Sequence, residues 1–94
     1  MKIKQRIKKL GYKIKFVPHK TIKDCIACYN VRYKGKIIYP KIAEKLDIPL
    51  NEIWISEKWK NKENNILFHE LQEIKYRSMG YTPRKAHKKA GKRN

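Results

Sequence analysis

The chain has 94 residues, of which 40% are hydrophobic, and its 25 Lys and Arg residues against eight Asp and Glu give a formal net charge of +17. This length predicts one domain with a small core, which a bound metal or partner would help to stabilise. No apolar run approaches the ~20 residues of a membrane span, and the basic start of the chain lacks the apolar stretch of a secretory signal. The sequence therefore excludes a membrane-spanning helix, and the expected location is the cytoplasm, where thiols stay reduced.

The excess of positive charge predicts attraction to polyanions, with DNA and RNA first and anionic membrane surfaces second. Such binding would depend strongly on salt, because it releases counterions from phosphates. Net charge bears on what a protein associates with and not on its fold. A protein that simply carries Lys at ordinary solvent-exposed positions would have the same composition. A basic module that binds DNA or RNA is therefore one functional hypothesis, which the motifs of the chain must support or replace.

The first elements in chain order are a short helix and a strand. Apolar residues at positions 3, 7 and 10 share one helical face, and Gly11 closes this helix. Apolar and basic residues then alternate over 12–16, which predicts a strand that ends at Pro18.

A hairpin and a third strand are predicted in the middle of the chain. Residues 25–33 and 36–39 are rich in β-formers and are joined by a Lys-Gly turn. One or two helical turns follow around 42–46, and a further strand is predicted over 51–56.

The last third of the chain is predicted to be helical. After a polar loop, Asn61 is placed to cap a long helix that ends near Met79. A second helix starts at Thr82-Pro83 and runs to Ala90, because Thr caps well and Pro suits the first helical position. The sequence thus predicts an α+β fold in which a small, mostly antiparallel sheet is combined with an N-terminal helix, a long helix and a short C-terminal helix. Residues 1–90 form a single domain, and 91–94 form a basic tail.

The long helix carries the sequence His-Glu-Leu-Gln-Glu at 69–73, in a chain that is otherwise poor in acidic residues. His69 and Glu73 are four residues apart, so they project from the same helical face and form a two-ligand metal clip. A third ligand is needed, because two protein ligands rarely hold zinc. His87 is the predicted third ligand, since it lies seven residues after Gly80 while Glu73 lies seven before it, and an antiparallel return would bring them level.

These residues predict a hydrolytic mechanism. A divalent metal, zinc or manganese, would activate water, and Glu70 would take its proton as general base. Tyr76 or Arg77 would stabilise the negative charge that develops on a carbonyl or phosphoryl centre. The opposite helical face, with Leu67, Leu71 and Ile74, is predicted to pack on the sheet.

The order of a strand over 53–56, a polar loop and a helix with Ile-Leu-Phe-His-Glu at 66–70 resembles the zincin metallopeptidases, over about residues 51–90. In that family the helix carries His-Glu-x-x-His and an edge strand positions the substrate. The resemblance implies that His69 is the first metal ligand, that Glu70 is the general base and that the substrate is a peptide. Glu73 stands where the family has its second histidine, which widens the choice of metal towards manganese or iron and leaves proteolysis open.

Other interpretations of the same residues stay open. Glu70 and Glu73 would also form ordinary helical ion pairs with neighbouring Lys and Arg. In that case the motif is structural or vestigial, and the chain is a nucleic-acid-binding module. Cys25 and Cys28 are expected to be free thiols, with a structural Cys2His2 site together with the two histidines of the long and last helices as the alternative. His19 is expected to be an exposed loop residue.

Overall fold

The computed structural model describes residues 2–23 and 25–91, and within these residues the chain forms four α-helices and one four-stranded sheet. In chain order the elements are α1 (Ile3–Lys9), β1 (Lys13–Val17), β2 (Ala27–Tyr33), β3 (Lys36–Ile38), α2 (Ile42–Leu46), β4 (Glu52–Ser56), a 3-10 helix (Glu57–Lys62), α3 (Glu63–Ser78) and α4 (Pro83–Gly91). The predicted α+β fold class is confirmed. The predicted basic tail begins with Gly91, which ends α4, and its other three residues lie outside the described part of the chain.

The strands are arranged in the order β1-β4-β2-β3, so β4 lies inside the sheet. It pairs in parallel with β1 and antiparallel with β2, and β2 forms the predicted hairpin with β3. Both edges of β4 are therefore occupied. The strand that precedes the long helix is consequently not the edge strand that the zincin resemblance implies, and it has no free backbone edge for a substrate.

Each face of the sheet is covered by different elements. One face carries the main core, in which the predicted apolar residues Leu67, Leu71 and Ile74 of α3 are at most 1% exposed and α1 contributes Ile7. The other face carries a smaller cluster with α2, which includes Cys28 of β2. The apolar stripe of the long helix was therefore predicted correctly.

The start of the long helix differs from the prediction. The segment predicted as a polar loop is the 3-10 helix Glu57–Lys62, whose first turn is capped by the Ser56 hydroxyl, which accepts a hydrogen bond from the Lys58 amide at 3.3 Å. This helix runs directly into α3, so the predicted cap at Asn61 is wrong: position Lys62 precedes α3 and makes no side-chain cap. The motif-bearing helix is thereby connected to the end of β4 by the 3-10 helix, with no intervening loop.

Among the described residues, no helix is both long enough and apolar enough to cross a membrane.

Candidate metal centre

The predicted metal ligands come from two helices that pack side by side. The chain turns after α3 at Gly80, whose φ of +102° is an angle that other residues rarely adopt. Thr82 then caps α4 by accepting a hydrogen bond from the Lys85 amide at 3.3 Å. Ala86 and Ala90 are buried, and their small side chains allow α4 to approach α3 closely. This approach places His87 beside the motif of α3.

Three ligand atoms meet at this point, as the sequence predicted. Glu73 Oε1 lies 2.9 Å from His87 Nδ1 and 3.8 Å from His69 Nε2, and the two ring nitrogens are 3.3 Å apart. Tetrahedral zinc with bonds of about 2.0–2.1 Å holds its ligand atoms roughly 3.3–3.4 Å from one another. The three observed separations bracket that value, so the cluster has the size of a metal site. Within the described residues these three side chains are the group that could hold a metal ion.

A buried tyrosine fixes the predicted glutamate ligand. The Tyr29 hydroxyl of β2 donates a hydrogen bond to Glu73 Oε2 at 2.6 Å, while Oε1 of the same carboxylate faces the histidines. Burial and the charge of Glu73 raise the pKa of Tyr29, so the hydroxyl stays protonated and remains a donor. Partners of this kind orient ligands in metal sites. The sequence placed Tyr29 only within the strand predicted over 25–33, because nothing in the local pattern links it to a residue 44 positions away.

Glu70 lies beside the cluster and is 8% exposed. Burial, and then the nearby charge of Glu73, raise the pKa of Glu70 well above its usual value. Two carboxylates one helical turn apart in a buried position repel each other, and a bound cation would offset this repulsion. Glu70 therefore favours its protonated form in the metal-free chain, and a bound cation would favour the ionised form.

The cluster forms one wall of a cavity of about 620 Å³. Most of the other lining side chains are apolar and come from the start of β2, the start of α2 and α3. Outside the metal cluster the cavity is lined by Cys25, Ile26, Ala27, Tyr29, Pro40, Ile42, Lys62, Asn65, Ile66 and Glu70. The predicted base therefore faces the same space as the predicted ligands.

The predicted charge-stabilising residues lie in other contacts. The Tyr76 ring packs edge to face on Tyr81 with ring centres 5.7 Å apart, and the ammonium group of Lys89 lies 5.7 Å from its centre. Arg77 donates a hydrogen bond to the carbonyl oxygen of Tyr39. Neither Tyr76 nor Arg77 lines the cavity, so their role in stabilising a developing charge stays a prediction.

The structure separates the two cysteines. Cys28 is buried in the smaller core cluster, whereas Cys25 is partly exposed and lines the cavity. Both are free thiols, as expected, and neither belongs to the described group that could hold a metal. The alternative Cys2His2 site therefore receives no support.

Cys28 should resist alkylation in the folded protein. Burial raises the pKa of this thiol to about 12, so at pH 8 its thiolate fraction is on the order of 10⁻⁴. Because the pKa of the thiol is higher in the folded than in the unfolded state, its contribution to stability is fully present below the unfolded pKa, near 8.5. That contribution is lost as the pH rises towards 12. Iodoacetamide labelling followed by mass spectrometry should modify Cys28 only after denaturation. Equal labelling of Cys28 in native and denatured protein would contradict this burial.

His19 is the third histidine of the chain, and the structure corrects its predicted exposure. Its Nδ1 atom lies 2.8 Å from the Ser56 hydroxyl at the end of β4, and the residue is half-buried. The loop after β1 folds back onto the sheet, which a local sequence pattern does not reveal. His19 lies outside the metal-capable group.

Comparisons with models of protein families, with curated proteins and with solved structures return no match. The function must therefore be argued from the geometry and chemistry of the site itself.

Proposed function

We propose that this chain is a metal-dependent hydrolase domain in which His69, Glu73 and His87 hold a divalent cation. The observation that supports this most strongly is the spacing of the three candidate ligand atoms, 2.9, 3.3 and 3.8 Å, which brackets the separations around one tetrahedral ion. Two imidazoles and one carboxylate form the donor set of several catalytic zinc sites, which leave a fourth position for water or substrate. Zinc is therefore the proposed metal, with manganese as the alternative.

The residues around the cluster supply the remaining functions. A bound cation would provide Lewis acidity, which lowers the pKa of water and polarises a carbonyl group. Glu70 is adjacent to His69 in the chain, lines the same cavity, and is placed to accept a proton as general base. Tyr29 holds Glu73 in one orientation, so the ligand carboxylate is kept apart from this proton transfer.

The cavity favours a peptide over a phosphodiester as substrate. Its lining is mainly aliphatic, with Ile26, Ile42 and Ile66 among the larger side chains, and such a surface accepts an apolar group. Lys62 and Asn65 are polar groups of the lining that could orient a carbonyl or carboxylate. The proposed reaction is therefore hydrolysis of a peptide bond next to an apolar residue, similar to that of metallopeptidases.

Glu70→Gln should separate metal binding from catalysis. Gln keeps the shape of the side chain but cannot act as a base, so we expect zinc binding near one equivalent and a loss of activity of about 10²–10⁴-fold. Zinc content after loading and dialysis measures the first quantity. Cleavage of a mixed set of fluorescence-quenched peptides by the zinc-loaded protein measures the second.

His69→Ala is the matched comparison, because it should lose both metal and activity. A wild-type protein that retains no zinc or manganese would refute the proposed site. A zinc-loaded wild type that cleaves no peptide, or a Glu70→Gln variant with full activity, would refute the proposed reaction while leaving the metal site intact.

A further inference from the structure

The surface of the folded protein carries a larger excess of positive over negative charge than the composition alone indicates. Three of the acidic residues, Glu52, Glu70 and Glu73, are buried, and Glu63 forms an ion pair with Lys4 at 3.3 Å. Few carboxylates among the described residues are therefore left to neutralise the exposed lysines. Such a surface attracts polyanions, and the distribution of lysines and aromatic rings determines where they would bind.

Lysines and aromatic rings alternate on the 3-10 helix and the neighbouring strand β1. The ammonium groups of Lys58 and Lys62 lie 5.7 and 5.9 Å from the ring centre of Trp59. The ammonium group of Lys60 lies 5.4 Å from the ring centre of Phe16. We call this surface, made of Phe16, Lys58, Trp59, Lys60 and Lys62, the lysine-aromatic band.

The lysine-aromatic band is partly open to solvent. All three of its lysines are exposed, and both of its rings are partly exposed. The 3-10 helix contains one acidic residue, Glu57, so the segment keeps a net positive charge. A ring that already attracts cations presents a π-face that is equally suited to a nucleobase.

The band lies at the end of the sheet that also holds the cavity. It is formed where β1 and β4 end, and the antiparallel strand β2 starts at the same end, beside the metal cluster. Lys62 belongs both to the band and to the lining of the cavity. A polymer bound along the band would therefore run beside the proposed active site without needing to enter it.

We propose that the lysine-aromatic band binds single-stranded nucleic acid, DNA or RNA, independently of the metal centre. Single strands offer phosphates to the lysines and unpaired bases to the rings, which is the combination used by general single-strand binders. A duplex hides its base faces, and an anionic membrane offers no base to stack on the rings, so single strands are the ligand that engages the lysines and the ring faces together. The band would hold the domain on nucleic acid while the apolar cavity acts on a protein.

The test compares two triple variants of equal charge. Lys58, Lys60 and Lys62 are changed to Gln in the first. The control changes Lys8, Lys13 and Lys34 to Gln, because these exposed lysines lie on α1, at the start of β1 and at the β2–β3 turn, towards the opposite end of the sheet. Affinity for a fluorescein-labelled oligothymidine of about 16 nucleotides is measured by anisotropy between low and moderate salt.

The first variant should bind at least about tenfold more weakly than wild type, and its log–log salt slope should fall by about 2. The control variant should lose clearly less affinity at every salt concentration. Equal losses in the two variants would show diffuse attraction to the whole surface and would overturn the proposal. Circular dichroism of both variants confirms that these exposed substitutions leave the fold intact.

The aromatic contribution is measured in a second set of experiments. In a Trp54→Phe background, Trp59 is the remaining tryptophan, and its fluorescence should be quenched by oligothymidine and by oligouridine. Heparin supplies anions without bases and should bind without this quenching. Quenching that is equal with heparin, or tighter binding to a duplex or to anionic vesicles than to single strands, would also overturn the proposal. The DNA and RNA oligonucleotides together identify which single strand is preferred.

The proposals for the metal site and for the lysine-aromatic band can be tested separately. His69→Ala should bind single strands as wild type does, because His69 lies outside the band, while losing the metal. Conversely, the triple variant of the band should keep its zinc. Loss of single-strand binding in His69→Ala would show that the nucleic acid occupies the metal site and would overturn the proposed independence.

Discussion

Zinc at about 100 times its dissociation constant is expected to raise the melting temperature of the wild-type chain by roughly 10–20 °C. Binding to the folded state alone contributes about 2.7 kcal/mol at that concentration. A domain of this size gains about 4–8 °C for each kcal/mol. His87→Ala removes one of three ligands and the link between α3 and α4, so the zinc-induced shift should fall below about 3 °C. Differential scanning fluorimetry with and without zinc measures both shifts.

The control for this experiment is His19→Ala, which removes the histidine that contacts Ser56 outside the cluster. This variant should keep the full zinc-induced shift, even if its metal-free melting temperature is lower. A wild type that melts at the same temperature with and without zinc would contradict the metal site. A full shift in His87→Ala would show that the cation is held elsewhere.

Tyr29→Phe is expected to lower the free energy of unfolding by about 1–3 kcal/mol and to weaken zinc binding by about 10–100-fold. The substitution removes the hydroxyl that donates to Glu73 Oε2 at 2.6 Å, and the buried carboxylate oxygen is left without that donor. The ligand then loses its fixed orientation, which lowers metal affinity as well as stability. Urea denaturation of the metal-free protein and zinc titration against a chromogenic chelator measure the two effects.

Tyr39→Phe is the matched control, since the Tyr39 hydroxyl donates to Glu44 at 3.0 Å at an exposed position. Its loss should change stability by no more than about 0.5 kcal/mol and leave zinc affinity unchanged. If Tyr29→Phe and Tyr39→Phe behaved alike, the hydrogen bond to Glu73 would have no part in the site.

The sequence predicted those features of the fold that depend on local spacing. The apolar period of α3, the glycine and proline signals around Gly80 and Pro83, and the hairpin turn each involve neighbouring residues, and each is confirmed. The meeting of Glu73 with His87 was also predictable, because it depends only on two helices and the turn between them.

Features that depend on distant pairing were missed. The interior position of β4 follows from its pairing with β1 and β2, which are far away in the chain. For the same reason the strand residue Tyr29 was not recognised as the partner of Glu73. The 3-10 helix was missed because its composition is that of a polar loop, and its form depends on the Ser56 cap and on continuation into α3.

The last helix buries little of its own surface. Ala86 and Ala90 are its buried side chains, and the other residues of α4 are exposed, including the proposed ligand His87. Two methyl groups contribute only a small hydrophobic stabilisation, so α4 is expected to open locally at a low free-energy cost compared with the sheet. Since His87 also lines the cavity, such an opening would remove a ligand and part of the cavity wall in one step. Occupancy of the metal centre and order of this helix would then rise and fall together, so the availability of the cation would control whether the cavity is complete.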